Sequence, residues 1–282
     1  MHVVAPSGPF DRSLVLRGLG WLSERYRVTY RRDLFAREGF LAGDDERRLD
    51  ELSTALRDPD IAAVLAARGG HGLTRIVASV PFGELITKPK WLVGFSDPTA
   101  WHLEATRVGV ASLHAANVVA LGRADSRSRS EWLSALEQPA HSRTLRGEGW
   151  TRGRVCGLLV GGNLTLIAMM AAAGRRSLPS GCILAMEDVT ETSYRIDRML
   201  AVLKLGGHLD NVAGFALGQF TDCSPGSFNV SADDVLREQL SNLAPVVAHL
   251  EFGHSLPNRP LTLGATAVLD ADQGLLITPS SM

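Results

Sequence analysis

The stretch that decides the fold is Lys90-Trp-Leu-Val-Gly-Phe-Ser-Asp-Pro-Thr99, in which an apolar run leads directly into a turn. The run Trp91 to Phe95 predicts a strand that is buried on both faces of a parallel sheet. Pro98 suits the first position of a following helix, where its missing N–H costs nothing, and Asp97 suits the cap before it. Ser96 is therefore expected at the sharp turn between strand and helix, with its Oγ exposed, as in a nucleophile elbow.

The same alternation of strands and helices extends toward the N-terminus. Val3 to Ala5 and Tyr26 to Tyr30 predict short strands, and Ile61 to Ala67 is a second uninterrupted apolar run. Helical leucine spacing over Asp11 to Arg25 and Asp44 to Arg57 separates these strands. This order of elements favours an α/β fold with a doubly wound parallel sheet.

The texture of the sequence changes after about residue 120, where charged residues and serine increase and apolar periodicity fades. We therefore place a linker region at 126–152, between an N-terminal domain of residues 1–125 and a C-terminal domain of residues 153–282. Strand and helix patterns return beyond the linker, and they predict an α+β domain.

Composition excludes several kinds of partner. Of the 282 residues, 45% are hydrophobic and 21% are charged, and the net charge is −1. That balance is typical of a globular protein and provides no electrostatic footprint for nucleic acid or an anionic membrane. The basic run Arg123 to Arg129 is interrupted by serines, which indicates a solvated surface loop. The apolar stretch Cys156 to Gly174 contains Gly161-Gly-Asn163, so it predicts a strand, a turn and a helix rather than a membrane span.

Cysteine and histidine patterns indicate neither disulfides nor a bound metal. The three cysteines have no C-x-x-C spacing, and no pair of histidines has a metal-ligand pattern with nearby cysteines or carboxylates. We expect no cofactor. The first residues, MHVVAPSGPF, lack the pattern of a signal peptide, so we expect a cytoplasmic protein with reduced thiols.

A glycine-rich loop, Arg68-Gly-Gly-His-Gly72, follows the other buried apolar run. Glycine permits positive φ and a close approach of the backbone to a ligand. Loops after neighbouring parallel strands meet at one edge of the sheet, so this loop is expected to supply an N–H group to an oxyanion hole beside Ser96, toward which the N–H of Asp97 also points. A tight turn or a phosphate cradle is the alternative, but the loop lacks both G-x-G-x-x-G and a Walker lysine.

The second half of the chain contains a base and an acid. Ile183-Leu-Ala-Met-Glu-Asp-Val189 puts two carboxylates after an apolar strand, and Phe252-Gly-His-Ser255 puts a histidine in loop-like sequence. Alone, Glu187 could cap a helix and His254 could be structural. Together with Ser96 they supply the nucleophile, the base and the group that orients the base. A serine hydroxyl is a poor nucleophile at neutral pH, so His254 would take its proton while Glu187 fixes the imidazole tautomer.

Several segments, spread from one end of the chain to the other, resemble the serine LD-carboxypeptidases, or muramoyltetrapeptide carboxypeptidases, which include the microcin C immunity peptidases. The segments are Val4-Ala-Pro-Ser-Gly-Pro9, Arg68-Gly-Gly-His-Gly72, Gly94-Phe-Ser-Asp-Pro-Thr99, Gly161-Gly-Asn-Leu164, Glu187-Asp-Val189 with Tyr194-Arg-Ile-Asp-Arg-Met-Leu200, and Phe252-Gly-His254. Each segment alone is a weak signal, but the ordered set is specific.

The resemblance implies a two-domain enzyme, with a Rossmann-like N-terminal domain that carries the serine and a C-terminal domain that supplies the glutamate and histidine. It implies a murein peptide substrate, which loses its terminal D-alanine during cytoplasmic peptidoglycan recycling, and a homodimer. The serine, glutamate and histidine singled out above match the family's triad by position. The N–H groups of Asp97 and of Gly69 or Gly70 match its oxyanion hole.

Two departures from the family pattern leave the substrate open. His71 stands where family members often have tyrosine, and His114-Ala-Ala replaces the usual His-Gly-Pro. One alternative is a peptidyl-nucleotide amidase that acts on a microcin C-like antibiotic, for which Trp150 is a candidate stacking platform. Another is a catalytically silent binding scaffold, although all three triad residue types are retained. A flavodoxin-like nucleotide-binding module would leave Glu187 and His254 unexplained.

Three polar residues are candidates for contact with the substrate, namely His71, Asn163 and Arg195. Asn163 follows a Gly-Gly turn, and a helix cap is its simpler interpretation. For Arg195, an ion pair with Glu191 or Asp197 is the simpler role.

Overall fold

The computed structural model describes residues 1–175 and 178–278. The strands are β1 His2–Val4, β2 Thr29–Tyr30, β3 Ala63–Ala66, β4 Trp91–Gly94, β5 Ser112–His114, β6 Arg143–Arg146, β7 Glu148–Gly149, β8 Arg154–Asn163, β9 Ile183–Val189, β10 Gly214–Thr221, β11 Val246–Ala248, β12 Leu261–Leu263, β13 Thr266–Asp270 and β14 Leu275–Thr278. The α-helices are α1 Arg12–Ser23, α2 Asp45–Arg57, α3 Leu73–Ile76, α4 Glu84–Thr87, α5 Thr99–Arg107, α6 Val118–Leu121, α7 Ser126–Glu137, α8 Leu164–Ala172, α9 Ser193–Leu205 and α10 Ala232–Leu240.

The first sheet has the strand order β12-β5-β4-β3-β1-β2. Its five N-terminal strands are all parallel, and residues along β3 alternate between the two faces, as in a strand covered on both sides. Helices α2 and α5 pack on one face, whereas α1 and α7 pack on the other. The prediction of a doubly wound parallel sheet is therefore confirmed.

The second sheet is mixed and has the order β6-β14-β13-β8-β9-β10-β11-β7. Its four central strands, β8 to β11, run parallel, and the strands outside them pair antiparallel. Helices α8, α9 and α10 cover one face of this sheet. The predicted apolar stretch from Cys156 forms β8 and α8, joined at Asn163. Among the described residues, no helix is both long and apolar enough to cross a membrane.

The two halves of the chain share one core, and the C-terminal half contributes a strand to the first sheet. The largest cluster of buried apolar side chains includes Trp101 of α5 and Ile167 of α8. Strand β12 leaves the C-terminal half and pairs antiparallel with β5 at the edge of the first sheet. The backbone N–H of Asn163 donates to Thr99 Oγ1 at 2.9 Å, and a Cβ at Gly162 would lie only 2.5 Å from that oxygen. Gly162 therefore lets the motif that precedes α8 pack against the motif that contains Ser96.

The segment 126–152, predicted as a linker region, contains α7, β6 and β7. Trp132 of α7 is buried against the first sheet, and its Nε1–H donates to the carbonyl of Ala116 at 3.0 Å. The buried stripe of α7 comprises only Trp132, Ala135 and Leu136, and a stripe this narrow leaves weak periodicity among many serines and arginines. The division into domains at 1–125 and 153–282 stays a prediction.

Candidate active site

Ser96 follows β4 at a strained turn. Its φ is 71°, in the left-handed region that non-glycine residues rarely adopt. Its carbonyl accepts the N–H of Thr99 at 2.8 Å, so the chain turns at once into α5. A Cβ at Gly94 would lie 3.0 Å from Pro98, and the absence of that atom lets the helix return close to the strand. The expected sharp turn with an accessible serine is present.

Asp97 does not cap α5, contrary to our prediction. The first turn of α5 is already satisfied by backbone, because Thr99 and Ala100 donate to the carbonyls of Ser96 and Asp97. The fully buried carboxylate of Asp97 instead accepts the N–H of Leu73, the first residue of α3, at 2.8 Å. Asp97 thereby joins the turn at Ser96 to the end of the glycine-rich loop.

The glycine-rich loop presses its backbone against Ser96. A Cβ at Gly69 would lie 2.9 Å from the Cβ and 3.1 Å from the Oγ of Ser96, so only glycine fits. Gly70 has a φ of 103°, which also favours glycine. Within residues 1–175 and 178–278, the N–H groups of Gly69, Gly70 and Asp97 have no hydrogen-bond acceptor. Free donors beside a serine oxygen are what an oxyanion hole requires.

Arg48 holds this loop through hydrogen bonds, a role that was not predicted from the sequence. Its guanidinium is fully buried and donates to the carbonyls of Pro6 at 2.6 Å and Gly72 at 2.7 Å. It therefore ties the loop after β1 to the loop after β3. The available signal was its place four residues before Leu52, on the apolar face of α2.

Glu187 and Asp188 lie within β9, not after it, and point to opposite faces because successive side chains of a strand alternate. Glu187 is fully buried, and its Oε2 lies 2.6 Å from Nδ1 of His254. Asp188 accepts hydrogen bonds from Nδ2 of Asn163 at 2.8 Å and from the N–H of Thr165 at 2.9 Å. The two neighbouring carboxylates therefore have separate tasks, and only Glu187 contacts a histidine of the loop.

For both Glu187 and His254, burial and the contact between the two side chains shift the pKa in opposite directions. Burial alone would raise the pKa of Glu187, but the neighbouring imidazoles of His114 and His254 outweigh it and lower the pKa to about 2. Burial alone would lower the pKa of His254, but its contact with Glu187 outweighs that effect and raises the pKa above the ordinary value. Nε2 of His114 lies 4.0 Å from Oε1 of Glu187, too far for a direct hydrogen bond. Glu187 is therefore ionised, and it favours the protonated form of His254.

Ser96 and His254 line the same cavity, of about 530 Å³. The ring of Phe95, next to the serine, lies 5.0 Å from the ring of His254. No hydrogen bond joins Ser96 Oγ to His254 in the part of the chain that the structure describes. In enzymes without substrate such contacts are often long, and they tighten when the substrate binds. The structure thus places Ser96 and His254 on one cavity, with the buried Glu187 in contact with His254.

Comparison with known proteins now identifies the family. The family model described as the LD-carboxypeptidase N-terminal domain matches residues 1–115, and the one described as the LD-carboxypeptidase C-terminal domain matches residues 156–269. The chain belongs to the LD-carboxypeptidase family. It is therefore a serine peptidase.

Relatives agree with this assignment. The murein tetrapeptide carboxypeptidase of Pseudomonas aeruginosa is 33% identical, over 86% of this chain and 83% of that protein. The crystal structure of muramoyltetrapeptide carboxypeptidase from Oxalobacter formigenes is 29% identical, with a TM-score of 0.88 over 98% of both chains. The microcin C7 self immunity protein MccF has a TM-score of 0.88 over 99% of this chain and 95% of its own, but at 19% identity it shows only a shared fold.

None of the three predicted substrate contacts in this LD-carboxypeptidase lines the cavity. His71 is exposed, with its ring 5.7 Å from that of Phe40. Asn163 is buried and caps α8, since its Oδ1 accepts the N–H of Leu166. Arg195 pairs with Glu191 at 3.1 Å, the simpler role that we expected. Contact of these three residues with the substrate stays a prediction.

Trp150 does not line the cavity of this LD-carboxypeptidase either. The guanidinium of Arg237 covers its ring at 4.1 Å, and the ring of His249 meets it edge-on at 5.6 Å. Arg237 therefore occupies one face of the ring on which a base could stack.

Two arginines of the cavity were not predicted as site residues, namely Arg68 and Arg123. The run Arg123 to Arg129, predicted as a solvated loop, passes into α7, and its first residue lines the cavity. Arg68 stands at the head of the glycine-rich loop, which was the available signal. Arg123 had none, because only the packing of α6 brings it to the cavity.

Proposed function

We propose that this LD-carboxypeptidase hydrolyses the amide before the terminal D-alanine of the murein tetrapeptide, releasing D-alanine and the tripeptide through an acyl-enzyme on Ser96. One observation carries the proposal. A strained, accessible serine shares its cavity with His254, whose Nδ1 is held 2.6 Å from the buried carboxylate of Glu187. The names of the relatives from Pseudomonas aeruginosa and Oxalobacter formigenes support the choice of substrate.

In the acylation step, Oγ of Ser96 attacks the carbonyl carbon of the residue before D-alanine, and Nε2 of His254 takes the hydroxyl proton. Glu187 holds Nδ1–H and stabilises the imidazolium that forms. Nε2 then returns the proton to the amine of D-alanine as the carbon–nitrogen bond breaks. The tripeptide remains attached to Ser96 as an ester.

In the deacylation step, a water takes the place of D-alanine. His254 accepts a proton from that water, the oxygen attacks the ester carbon, and the proton returns to Oγ of Ser96. The tripeptide leaves with a new carboxylate, and the side chains are restored. Both steps use the same base, which requires His254 to be neutral at the start of each.

Negative charge develops on the carbonyl oxygen in both steps. The free N–H groups of Asp97 and of Gly69 or Gly70 lie beside Ser96 and are the donors that we assign to this oxygen. They are backbone groups held by packing, so they need little rearrangement as the charge appears. One such donor is worth about 10²–10³ in kcat.

Mass spectrometry of murein tetrapeptide incubated with wild-type and Ser96→Ala protein tests the proposal. We expect loss of one D-alanine with the wild type alone. A microcin C-like conjugate is incubated in parallel, and its cleavage in place of the tetrapeptide would assign the protein to the alternative, a peptidyl-nucleotide amidase. Tetrapeptide cleavage that persists in Ser96→Ala would remove the serine from the mechanism.

We further propose that the enzyme works as a homodimer in the cytoplasm, on peptides released during peptidoglycan recycling. Resemblance to the family supports this proposal. Light scattering during size-exclusion chromatography measures the mass in solution. A mass of 30.3 kDa, that of one chain, would contradict the dimer.

A further inference from the structure

We infer that Arg68 and Arg123 form the binding site for the terminal carboxylate of the substrate. The inference rests on the proposed function and adds to it the groups that recognise the free chain end. A carboxypeptidase has to distinguish a terminal residue from an internal one, and the free carboxylate is the feature that differs. The groups able to bind this carboxylate are the cations that line the cavity.

The cavity has a one-sided charge. Its lining includes Arg68, Arg123 and His254, and the described residues that line it include no aspartate or glutamate. The whole chain contains 29 lysines and arginines and 30 acidic residues, so its charges nearly balance. The excess of positive charge is therefore a local property of this cavity, which points to an anionic ligand.

Arg68 lies next to the reacting groups. It immediately precedes Gly69, where a Cβ would lie 3.1 Å from Ser96 Oγ. Its Nη1 donates to the carbonyl of Pro9 at 2.5 Å, which anchors the side chain without neutralising its charge. Among the described residues it has no acidic partner, so its remaining N–H groups are available to a ligand.

Arg123 also lines the cavity, two residues after the end of α6. Its backbone N–H donates to the carbonyl of Ala120 at 3.0 Å, which fixes the turn that carries it. Within the described residues, its guanidinium has neither an ion-pair partner nor a hydrogen-bond acceptor. Its N–H groups are therefore available to a ligand.

The two arginines also line an adjoining cavity of about 470 Å³ and thus stand between it and Ser96. That second cavity contains Arg37 and one acid, Asp11. Oδ1 of Asp11 caps α1 by accepting the N–H and hydroxyl of Ser13, so this carboxylate is already engaged. The positive character therefore continues beyond the arginine pair.

The chemistry of the two side chains fits a carboxylate. A guanidinium presents a planar fork of N–H donors that matches the two oxygens, and such charge-assisted bonds are stronger than neutral ones. A terminal amide, which has no charge, would gain much less from the same two groups. A site built for a charged group rejects the analogue that lacks it, because the site's own charges are then left unpaired.

The test compares the murein tetrapeptide with the same peptide ending in D-alaninamide. For the wild type we expect kcat/KM to favour the carboxylate by about 10- to 100-fold, the range for a hydrogen bond to a charged group. Arg123→Gln should lose most of this preference, chiefly through a lower kcat/KM on the peptide that ends in the carboxylate, because the uncharged amide gains much less from the guanidinium. Arg123→Lys retains the charge but not the fork, and should lie between the two.

Arg127→Gln is the matched control. Arg127 lies four residues farther along, is exposed, pairs with Glu131 at 3.3 Å and does not line the cavity. It should behave as the wild type on both peptides. Arg68 is tested by Arg68→Lys, because the lysine can still reach toward Pro9 and hold the loop. Titration calorimetry of tetrapeptide into Ser96→Ala protein, with and without Arg123→Gln, should show weaker binding in the double variant by the same factor.

The outcomes are distinct. A preference for the carboxylate that survives undiminished in Arg123→Gln would overturn the inference and leave the proposed function intact. An equal loss on both peptides would also overturn it, because the arginines would then support structure. If the wild type cleaves neither peptide, the proposed function fails, and the inference that rests on it fails too.

Discussion

The N-terminal half of the site takes its geometry from the backbone, whereas the C-terminal half takes it from side chains. In the N-terminal half the backbone sets the geometry, with Ser96 at a φ of 71° and Gly69 packed against its Oγ. In the C-terminal half side chains set it, since Glu187 and His254 are 67 residues apart and meet through one contact of 2.6 Å. We therefore expect the first half to be sensitive to added atoms and the second to the loss of a charge.

Two buried carboxylates show the same contrast. Burial raises the pKa of Asp97, and the neighbouring Ser7 side chain and Leu73 N–H offset that increase only in part. Glu187 is equally buried, but two histidines face it and its pKa falls to about 2. A carboxylate in this core is therefore held firmly ionised where imidazoles oppose it, and less so where its near partners are mainly neutral donors.

The largest expected effect comes from Ser96→Ala. Ser96 belongs to the N-terminal half of the site, and its proposed base, His254, belongs to the C-terminal half. Alanine keeps the Cβ, so stability should change little, whereas kcat should fall by about 10⁴–10⁶. The double variant Ser96→Ala/His254→Ala should be no slower than Ser96→Ala alone, because the residues act as a unit. Initial rates of D-alanine release measure this, and losses that multiply would show that the two halves act separately.

Glu187→Gln tests the charge in the C-terminal half. We expect kcat to fall by about 10³–10⁴, since glutamine leaves the imidazole in the wrong tautomer. In the wild type, activity should rise with pH as His254 loses its proton, with a midpoint above the ordinary 6.5 because Glu187 raises that pKa. Without the carboxylate the residual activity should have its midpoint at lower pH. A pH–rate profile that does not move would show that Glu187 is not the group that tunes the base.

Gly69→Ala tests the backbone in the N-terminal half. The new Cβ would meet the Cβ and Oγ of Ser96, so the loop must move, and kcat should fall by about 10²–10³ if an oxyanion donor is displaced. Gly83→Ala is the control, since a Cβ there meets nothing within 4 Å. Steady-state kinetics of both variants decide the point, and equal activity would contradict a close approach of Gly69 to the serine.

The smallest effect is expected at Asp97, which joins the loop to the elbow. Asp97→Ala leaves the buried N–H of Leu73 without an acceptor and should lower the free energy of unfolding by about 1–3 kcal/mol. Asp97→Asn keeps an acceptor oxygen and should lose less. Urea denaturation measures both, and identical stability of the alanine variant would mean that this hydrogen bond does not hold the loop.

Much of the N-terminal half could be predicted because its signals are local. The apolar runs that became β3 and β4 adjoin the loops that carry Gly69 and Ser96, and parallel strands bring such loops to one edge. The cap at Asp97 was predicted wrongly, because the competing donor, Leu73, comes from another loop. The helix at 126–137 was missed because its buried stripe is narrow.

Prediction was less complete where contacts are distant in sequence. The residue types of the acid and base were recognisable at Glu187 and His254, but a pattern of residues contains no distance between them. The substrate candidates His71, Asn163 and Arg195 were chosen from local context, and the cavity is lined by other side chains. Arg48 and Arg123 illustrate the same point, since Arg48 contacts the carbonyls of Pro6 and Gly72 and Arg123 lines the cavity that contains Ser96.

The sequence by itself determined the alternation of strands and helices, the turn at Ser96, the glycines beside it and the family resemblance. These follow from steric and hydrophobic preferences that act over a few residues. Only the tertiary structure decided that Glu187 contacts His254, that Asp97 serves Leu73 and that the arginines at 68 and 123 share a cavity with Ser96. The reason is physical: charge pairing, burial and cavity shape depend on distances through space, and packing of the two halves creates those distances.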